Sequence, residues 1–407
     1  MLTETTRTLV KATAPVLQAH GVALTTHFYA RMFQHNPELR EVFNQGHQRN
    51  GAQQQALAMA VAAYAEHIDN PGVLMPVLER VAAKHVSLGI RSEHYAIVGR
   101  HLLASIAEVL GEAATPELID AWAAAYGQLA DIMIGMERAL YDESATREGG
   151  WTGWRTFRVR RKQPESEEIT SFELEPADGG KVPHYRAGQY VSIRVVVPEL
   201  GYRQPRQYSL SCAPGQDHLR ISVKRERDPA QQAEGMVSNF LHGHVAEGDL
   251  IEVAPPVGDF YLHEDRDSPV VLVSAGVGIT PMVAMLERLV QTGSRRPVRF
   301  LHAARHAGVQ AFGARVGELI EQLPDGQAWI VHELAQDGQG AGAAQRHAVG
   351  RLDLAALTGT PLLPPDADHY VCGPVGFMAE QIRALRGRGV PAERIHAEAF
   401  GTGGVPA

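Results

Sequence analysis

The pattern of apolar and polar positions changes character along the chain. Over residues 1–142, apolar residues recur at a spacing near 3.6 in a background rich in Ala, Leu, Gln and Met, which predicts helix throughout. Asn36-Pro37, Asn70-Pro71 and Thr115-Pro116 punctuate this stretch. Each sets a polar residue before a Pro suited to a first helical turn. Residues 143–150 (Glu-Ser-Ala-Thr-Arg-Glu-Gly-Gly) predict a polar hinge. After Trp151 the runs at 154–159, 190–197 and 219–224 predict strands separated by turn residues, as in a small antiparallel barrel over 151–264. From about Ser268, strand and helix signals alternate, with buried strands predicted at 270–274, 298–302 and 369–372. Alternation of that kind predicts a parallel nucleotide-binding sheet over 265–407. The expected fold is therefore multidomain: an all-α domain, an antiparallel β-barrel, and an α/β domain with a parallel sheet. Residues 335–345 form a low-complexity stretch expected to be a surface loop, and no internal repeat is visible.

A length of 407 residues accommodates several domains with ample core. The net charge of -8 is spread in both signs without a Lys/Arg-rich run, so nucleic acid is not an expected partner. Cys212 and Cys372 cannot build a disulfide framework and lack zinc or C-x-x-C-H spacing. Met1-Leu2-Thr3-Glu4-Thr5 does not read as a secretory signal, and no apolar run reaches membrane-spanning length. The expectation is a cytoplasmic protein without a membrane span.

Several helices of the first domain place polar residues on apolar faces. Leu78, Val81, Ala82, His85 and Leu88 share a stripe, so His85 is either a satisfied core histidine or a haem-iron ligand. Val22, Thr25, Thr26, Tyr29 and Phe33 share another, which makes Tyr29 a core tyrosine or a pocket donor. Gln53, Leu57, Ala60 and Tyr64 share a third, with Gln53 inward or at a helix edge. Ala130, Met133, Glu137 and Leu140 share a fourth, so Glu137 is either at a frayed helix end or a buried carboxylate that needs a partner. One pocket accounts for all of these. Tyr29 and Gln53 would supply donors near bound dioxygen, and Leu57 would restrict the space. Tyr95 and Glu137 would orient the second nitrogen of His85, and Phe43 would wedge against a porphyrin.

The rest of the chain carries glycine turns. Arg206-Gln207-Tyr208-Ser209 follows Gly188-Gln189-Tyr190 and reads as an edge strand or a flavin contact. Gly235-Met236-Val237-Ser238-Asn239 opens a short helix predicted at 240–245, whose free N–H groups suit a pyrophosphate. Gly276-Val277-Gly278-Ile279-Thr280-Pro281 follows the strand at 270–274 and precedes a helix predicted from Met282. Its glycines let backbone N–H groups approach phosphate. It is not G-x-G-x-x-G, because Pro281 replaces the third glycine. His302-Ala303-Ala304-Arg305 ends the next strand. No acid stands there for a ribose 2′-hydroxyl, whereas Arg305 could accept a 2′-phosphate. Cys372-Gly373-Pro374 is a strand-terminal turn or holds a reactive thiol.

These residues together resemble the flavohaemoglobins, over essentially the whole chain. Residues 1–142 resemble the globin domain, with Tyr29, Phe43, Gln53, Leu57, Lys84, His85, Tyr95 and Glu137 matching its haem pocket in type and order. The remainder resembles the family's ferredoxin-reductase-like half. The resemblance implies that Tyr190, Arg206, Gln207, Tyr208, Ser209, Gly235, Val237 and Ser238 contact FAD. It implies that residues 276–281, Arg305, Cys372, Gly373 and Pro374 contact NADH or NADPH. Glu398-Ala399-Phe400-Gly401 resembles the C-terminal flavin cover. Thr402-Gly403-Gly404 then departs from the Pro often found after that glycine. The implied cofactors are haem b, with His85 on its iron, FAD, and NAD(P)H. The implied activity is conversion of nitric oxide and dioxygen to nitrate, in a monomer, with an apolar ligand or lipid admissible in the distal pocket. A reductase of hydroperoxides or of ferric or flavin compounds is the alternative enzyme. An oxygen sensor or store is the non-enzymatic one, although a store needs no reductase half and no output module is visible.

Overall fold

A computed structural model describes residues 2–43, 51–228, 233–334, 345–357, 359–364 and 366–400. Its contacts divide the chain into two units, Met1–Trp154 with Ser192–Arg206, and Arg155–Val191 with Gln207–Ala407.

The first unit is helical: α1 (Glu4–Ala12), α2 (Ala14–His35), α3 (Ala52–Glu66), α4 (Met75–Leu88), α5 (Ser92–Leu110) and α6 (Pro116–Thr146). Thr3 caps α1 through Thr6 N–H, and Thr115 caps α6 through Leu118 N–H with Pro116 in the first turn. The other two Asn-Pro pairs open only 3-10 turns, Pro37–Glu41 and Pro71–Leu74. A proline satisfies the start of a turn but does not set its length. α2 packs on α3 and α5, and α6 on α4 and α5, around a core of Leu24, Phe28, Met32, Tyr64, Ile106 and Trp122.

Two of the predicted helix faces are rotated. On α2, Val22 and Thr26 are exposed and the inward face is Gly21, Leu24, Thr25, Phe28, Tyr29 and Met32. On α3, Ala60 is exposed while Ala58, Val61, Ala62 and Tyr64 are buried. Ala and Thr fit either environment, so they do not mark a face by themselves. The segment read as a hinge is half helix. α6 continues to Thr146 because Ser144 is buried, Arg147 pairs with Glu143, and the Thr146 hydroxyl donates to Asp142 O at 2.9 Å.

The strands are β1 (Arg155–Pro164), β2 (Ile169–Pro176), β3 (Tyr190–Val197), β4 (Tyr202–Ser209), β5 (Leu219–Lys224), a short ribbon of β6 (Arg227–Asp228) and β7 (Ala233–Glu234), and β8 (Leu250–Val253). The six-stranded sheet has the order β4-β3-β8-β1-β2-β5. Leu210, directly after β4, bridges Ile221 of β5, and Ser211 N–H donates to Arg220 O at 2.8 Å. These links join the two ends of the sheet order, which is how a small barrel removes its edges. Helix α7 spans Met236–His244, starting four residues earlier than predicted, directly after Gly235.

The parallel sheet comprises β9 (Val270–Ala275), β10 (Val298–Ala304), β11 (Gly326–His332), β12 (Gln345–Val349), β13 (Asp368–Cys372) and β14 (Ile395–Glu398). Its order is β12-β11-β10-β9-β13-β14. Its helices are α8 (Ile279–Gln291), α9 (Gly313–Glu321) and α10 (Val375–Gly387). Val270 and Leu272 enter the core beneath α8, and Val271 and Val273 enter the core beneath α10. A strand buried on both faces needs an unbroken apolar run, and 270–273 supplies one. Gln345 belongs to β12 instead of the predicted loop; residues 335–344 of that loop lie outside the described residues.

Candidate functional site

His85 lies in the last turn of α4, which stops at Gly89, whose φ of 74° is the left-handed value that favours glycine. Its imidazole is half-buried at the edge of a stripe formed by Ala82, Val86 and Ser87. Glu137, on α6, is only 3% exposed although it is a carboxylate. Its Oε1 accepts from His85 Nδ1 at 2.7 Å and from the Tyr95 hydroxyl at 2.5 Å, and His85 Nδ1 lies 3.1 Å from that hydroxyl. A carboxylate can only accept, so the proton of a neutral His85 sits on Nδ1. The lone pair then sits on Nε2, which has no hydrogen-bond partner among the described residues. An imidazole oriented in this way fits an iron ligand, with a second group holding its tautomer.

Two residues absent from the sequence reading clamp this arrangement. Tyr126 donates to Tyr95 O at 2.7 Å, and Tyr141 donates to Ile90 O at 2.6 Å. Burial, followed by the nearby Glu137 charge, pushes the Tyr141 hydroxyl up to about 12. Tyrosine hydroxyls aimed at main-chain carbonyls leave no periodic trace in a sequence, although both lie on the helix that carries Glu137.

Tyr29 is 6% exposed and packs among the rings of Phe28, Phe33 and Phe43 at 4.9, 5.9 and 5.7 Å. Burial holds its hydroxyl above the ordinary tyrosine range, and a hydrogen bond with Gln53 partly opposes this. Gln53 Oε1 is buried without a partner among the described residues. Such an atom in a helical core marks a place where a polar ligand atom or water belongs. Leu57 is half-buried one turn further along α3, and Lys84 is half-buried beside His85. These side chains fit a haem: an aimed nitrogen, a ring-lined wall, and two polar groups meeting in an apolar surround.

In β4, Arg206, Gln207 and Tyr208 are half-buried and Ser209 is buried. Strand alternation puts Arg206 and Tyr208 on one face and Gln207 and Ser209 on the other. Tyr190 exchanges both backbone hydrogen bonds with Val257 at 3.0 Å. Gly258, at φ 121°, lies against the Tyr190 ring, where a Cβ would come within 3.0 Å. Gly235 caps α7 without a side-chain acceptor, leaving its first N–H groups available to an anion. Val237 is 1% exposed, so its contribution is from the backbone. The Ser238 hydroxyl donates to Gly235 O at 3.0 Å and accepts from Glu226 N–H at 3.1 Å, so it shapes this turn.

Parallel strand β9 has β10 on one side and β13 on the other. The chain reverses direction across the sheet there, and such switch points open a crevice at the carboxyl ends of the strands. Both glycine turns sit at this place. The first is a 3-10 turn, Gly276–Gly278, with Gly276 at φ 54°. It runs straight into α8, three residues before the predicted start at Met282, and leaves Pro281 in the first turn. The Thr280 hydroxyl donates to Val277 O at 2.9 Å. A Cβ on Gly278 would lie 2.3 Å from Cys372 O, and one on Gly373 would lie 3.2 Å from Ala275. The two turns therefore close on each other through glycine backbone. Pro374 precedes α10, and Glu398 lies opposite Cys372 in register, with Ala399 and an exposed Phe400 beyond it. Gly401 lies outside the described residues.

Cys372 is fully buried, and burial, followed by the Glu398 charge, raises its thiol well above the usual range. A buried neutral thiol is a poor nucleophile, which removes the reactive-cysteine alternative. The same row holds a pair that the sequence did not signal. Ser274 Oγ lies 2.9 Å from His302 Nδ1, and burial pushes His302 down to about 3, so it is neutral. Arg305, read as a possible acceptor of a 2′-phosphate, is part-exposed, and its guanidinium pairs with Glu168.

Gly278→Ala is expected to slow anaerobic reduction of the flavin by NADH by about 5–150-fold. That is the range set by ~1–3 kcal/mol of overpacking. Stopped-flow flavin bleaching measures it; an unaltered rate would mean that the turn does not position the nicotinamide.

Comparison with known proteins places this geometry in a class. Residues 26–133 match the globin family, residues 156–261 the oxidoreductase FAD-binding domain and residues 272–383 the oxidoreductase NAD-binding domain. The chain is thus a globin coupled to a flavin- and nicotinamide-dependent oxidoreductase module. It is 60% identical over 404 residues to the flavohemoprotein of Chromobacterium violaceum, covering 99% of each chain. The chain belongs to the flavohemoprotein family. The flavohemoglobin of Malassezia yamatoensis, solved with bound FAD and heme, superposes with a TM-score of 0.85 at 30% identity, over 98% of this chain and 100% of that one. The FAD/NAD-binding domain of the nitric oxide dioxygenase of Vibrio cholerae superposes with a TM-score of 0.53 at 42% identity, over 61% of this chain and 98% of that one.

Proposed function

We propose that this chain is an NAD(P)H-dependent nitric oxide dioxygenase that converts nitric oxide and dioxygen to nitrate. The observation that carries the reading is the His85–Glu137–Tyr95 cluster, which leaves Nε2 of His85 without a partner among the described residues, on the same chain as a switch-point nucleotide crevice. The relatives support it: one is solved with FAD and heme, and another is a nitric oxide dioxygenase.

Haem and FAD, when bound, supply one-electron iron chemistry and the conversion of a hydride into single electrons. His85 would hold the iron through Nε2, and Glu137 would keep the Nδ1 proton in place and make the ring more electron-donating. Tyr29 and Gln53 would present hydrogen-bond donors to dioxygen, and Leu57 and Phe43 would keep the pocket narrow and apolar. Arg206, Tyr208 and the free N–H groups of α7 would hold the flavin and its pyrophosphate. Gln207, Ser209 and Tyr190 complete that site, with Glu398 and Phe400 at its cover. Gly276, Gly278 and Gly373 would let the nicotinamide nucleotide approach the backbone.

The domain limits fitting this assignment are 1–142 for the haem domain, 151–264 for the flavin domain and 265–407 for the nucleotide domain. Among the described residues no helix is long and apolar enough to cross a membrane. We place the activity in the cytoplasm, in a monomer whose haem pocket also admits an apolar ligand.

Nitric oxide, dioxygen and one electron balance to nitrate, so each NADH should consume two nitric oxide molecules. Stopped-flow decay of nitric oxide with NADH and oxygen, with nitrate assayed, tests this. Nitrous oxide as the product, or NADH consumption indifferent to nitric oxide, would refute it.

A further inference from the structure

The loop after β10 is where a dinucleotide fold reads the 2′ position of the adenosine ribose, with an acid for a hydroxyl or an arginine for a phosphate. β10 ends at Ala304, and the chain offers Arg305 there instead of an acid. The structure brings the acid from elsewhere. The turn between β1 and β2 carries Glu165, Glu167 and Glu168 within four residues. Glu168 of this turn pairs with the Arg305 guanidinium.

The turn is seated firmly on this loop. Glu167 N–H donates to Gly308 O at 2.9 Å. A Cβ on Gly308 would fall 2.0 Å from Glu167 Oε1, so the Glu167 side chain lies directly against this loop. Glu168 N–H and Ile169 N–H donate to Ser166 Oγ at 3.3 and 3.2 Å, and Arg225 N–H donates to Glu168 O at 2.8 Å. On the other side, Leu334 N–H donates to Arg305 O at 2.9 Å. Both partners thus have fixed backbones, and their side chains remain part-exposed at 57% and 32%.

An ion pair this open contributes little to stability. Its consequence is electrostatic. The pair offsets the charge of Arg305 and sets a carboxylate beside the guanidinium that a 2′-phosphate would seek. An acceptor suits a ribose 2′-hydroxyl and repels a phosphate dianion. We propose that Glu168 sets the nucleotide specificity of this chain, selecting NADH over NADPH by occupying Arg305 and offering its carboxylate to the ribose. This rests on the assignment of the switch-point crevice to the nicotinamide nucleotide.

The test compares AMP with adenosine 2′,5′-bisphosphate by titration calorimetry on the fully loaded protein, alongside anaerobic flavin reduction by NADH and NADPH. The wild type should bind AMP at least as tightly as the bisphosphate. Glu168→Gln keeps the size of the side chain and removes its charge. It should turn the preference toward the bisphosphate by about tenfold or more, as expected for a freed charge-assisted contact. NADPH should gain in the same ratio. Adding Arg305→Ala to that variant should cancel the gain. A wild type that already favours the bisphosphate, or a Glu168→Gln variant with unchanged preference, overturns the proposal. A wild type whose flavin neither NADH nor NADPH reduces would instead overturn the oxidoreductase assignment on which it rests.

Discussion

His85→Ala should be purified without a Soret band and with a full complement of FAD. The argument starts from the tautomer. Glu137 Oε1 holds the Nδ1 proton, so Nε2 is the atom available to iron, and alanine removes it. The fold should survive, since His85 is half-buried and the Tyr95 hydroxyl still donates to the Glu137 carboxylate after the change. Reduction of a dye by NADH should be unchanged, because the flavin and nucleotide residues belong to other elements. Glu137→Gln grades the same site. It keeps the ligand but removes the charge behind it, and a loss of about 10–100-fold in haem affinity or activity is typical for such a partner. The haem midpoint potential should rise, because ferric iron loses a stabilising negative charge. A normal Soret band in His85→Ala would transfer the ligand role to another residue. An unshifted potential in Glu137→Gln would reduce that carboxylate to a structural acceptor.

Much of this organisation is legible in the sequence, for identifiable reasons. The strand at 270–273 is buried on both faces, so its apolar run needs no alternation to be read. The turn Gly276–Gly278 is legible because a Cβ on Gly278 would fall 2.3 Å from Cys372 O, so any side chain there forces the two turns apart. Glu137 stood out because a carboxylate in an apolar stripe demands a partner, and His85 and Tyr95 supply it. What escaped has equally physical causes. The helix faces through Val22 and Ala60 are drawn wrongly, since threonine and alanine fit either side and a single exposed valine is ordinary on a protein surface. Helix α7 begins at Met236 because the Ser238 hydroxyl returns to Gly235 O, a local bond that hydropathy does not register. Tyr126 and Tyr141 act on main-chain carbonyls, which have no sequence identity. Glu168 reaches Arg305 across 137 residues of chain, so an inspection confined to the β10 loop finds no acid there.

Tyr29→Phe tests the chemistry of the pocket more sharply than any other single change. It removes one hydroxyl and almost no volume, and the contacts with Phe28, Phe33 and Phe43 remain, so stability should barely move. Burial holds the hydroxyl above its ordinary titration range, which keeps it a neutral donor at every working pH. A charge-assisted hydrogen bond from such a donor contributes about 1.5–3 kcal/mol. Loss of ~2 kcal/mol corresponds to roughly thirtyfold faster dioxygen release where the effect lies in the off-rate. Gln53 bonds to the same hydroxyl, and its Oε1 has no partner among the described residues, so it can turn its amide toward the ligand once the hydroxyl is gone. The double variant with Gln53→Leu should therefore exceed either single one. Nitric oxide turnover should fall at low oxygen and recover in part at high oxygen, while NADH-driven haem reduction stays normal. Carbon monoxide displacement measures the release rate directly. An unchanged rate in the double variant would mean that neither residue meets the ligand, and the dioxygenase reading would lose the donors on which its oxygen chemistry depends.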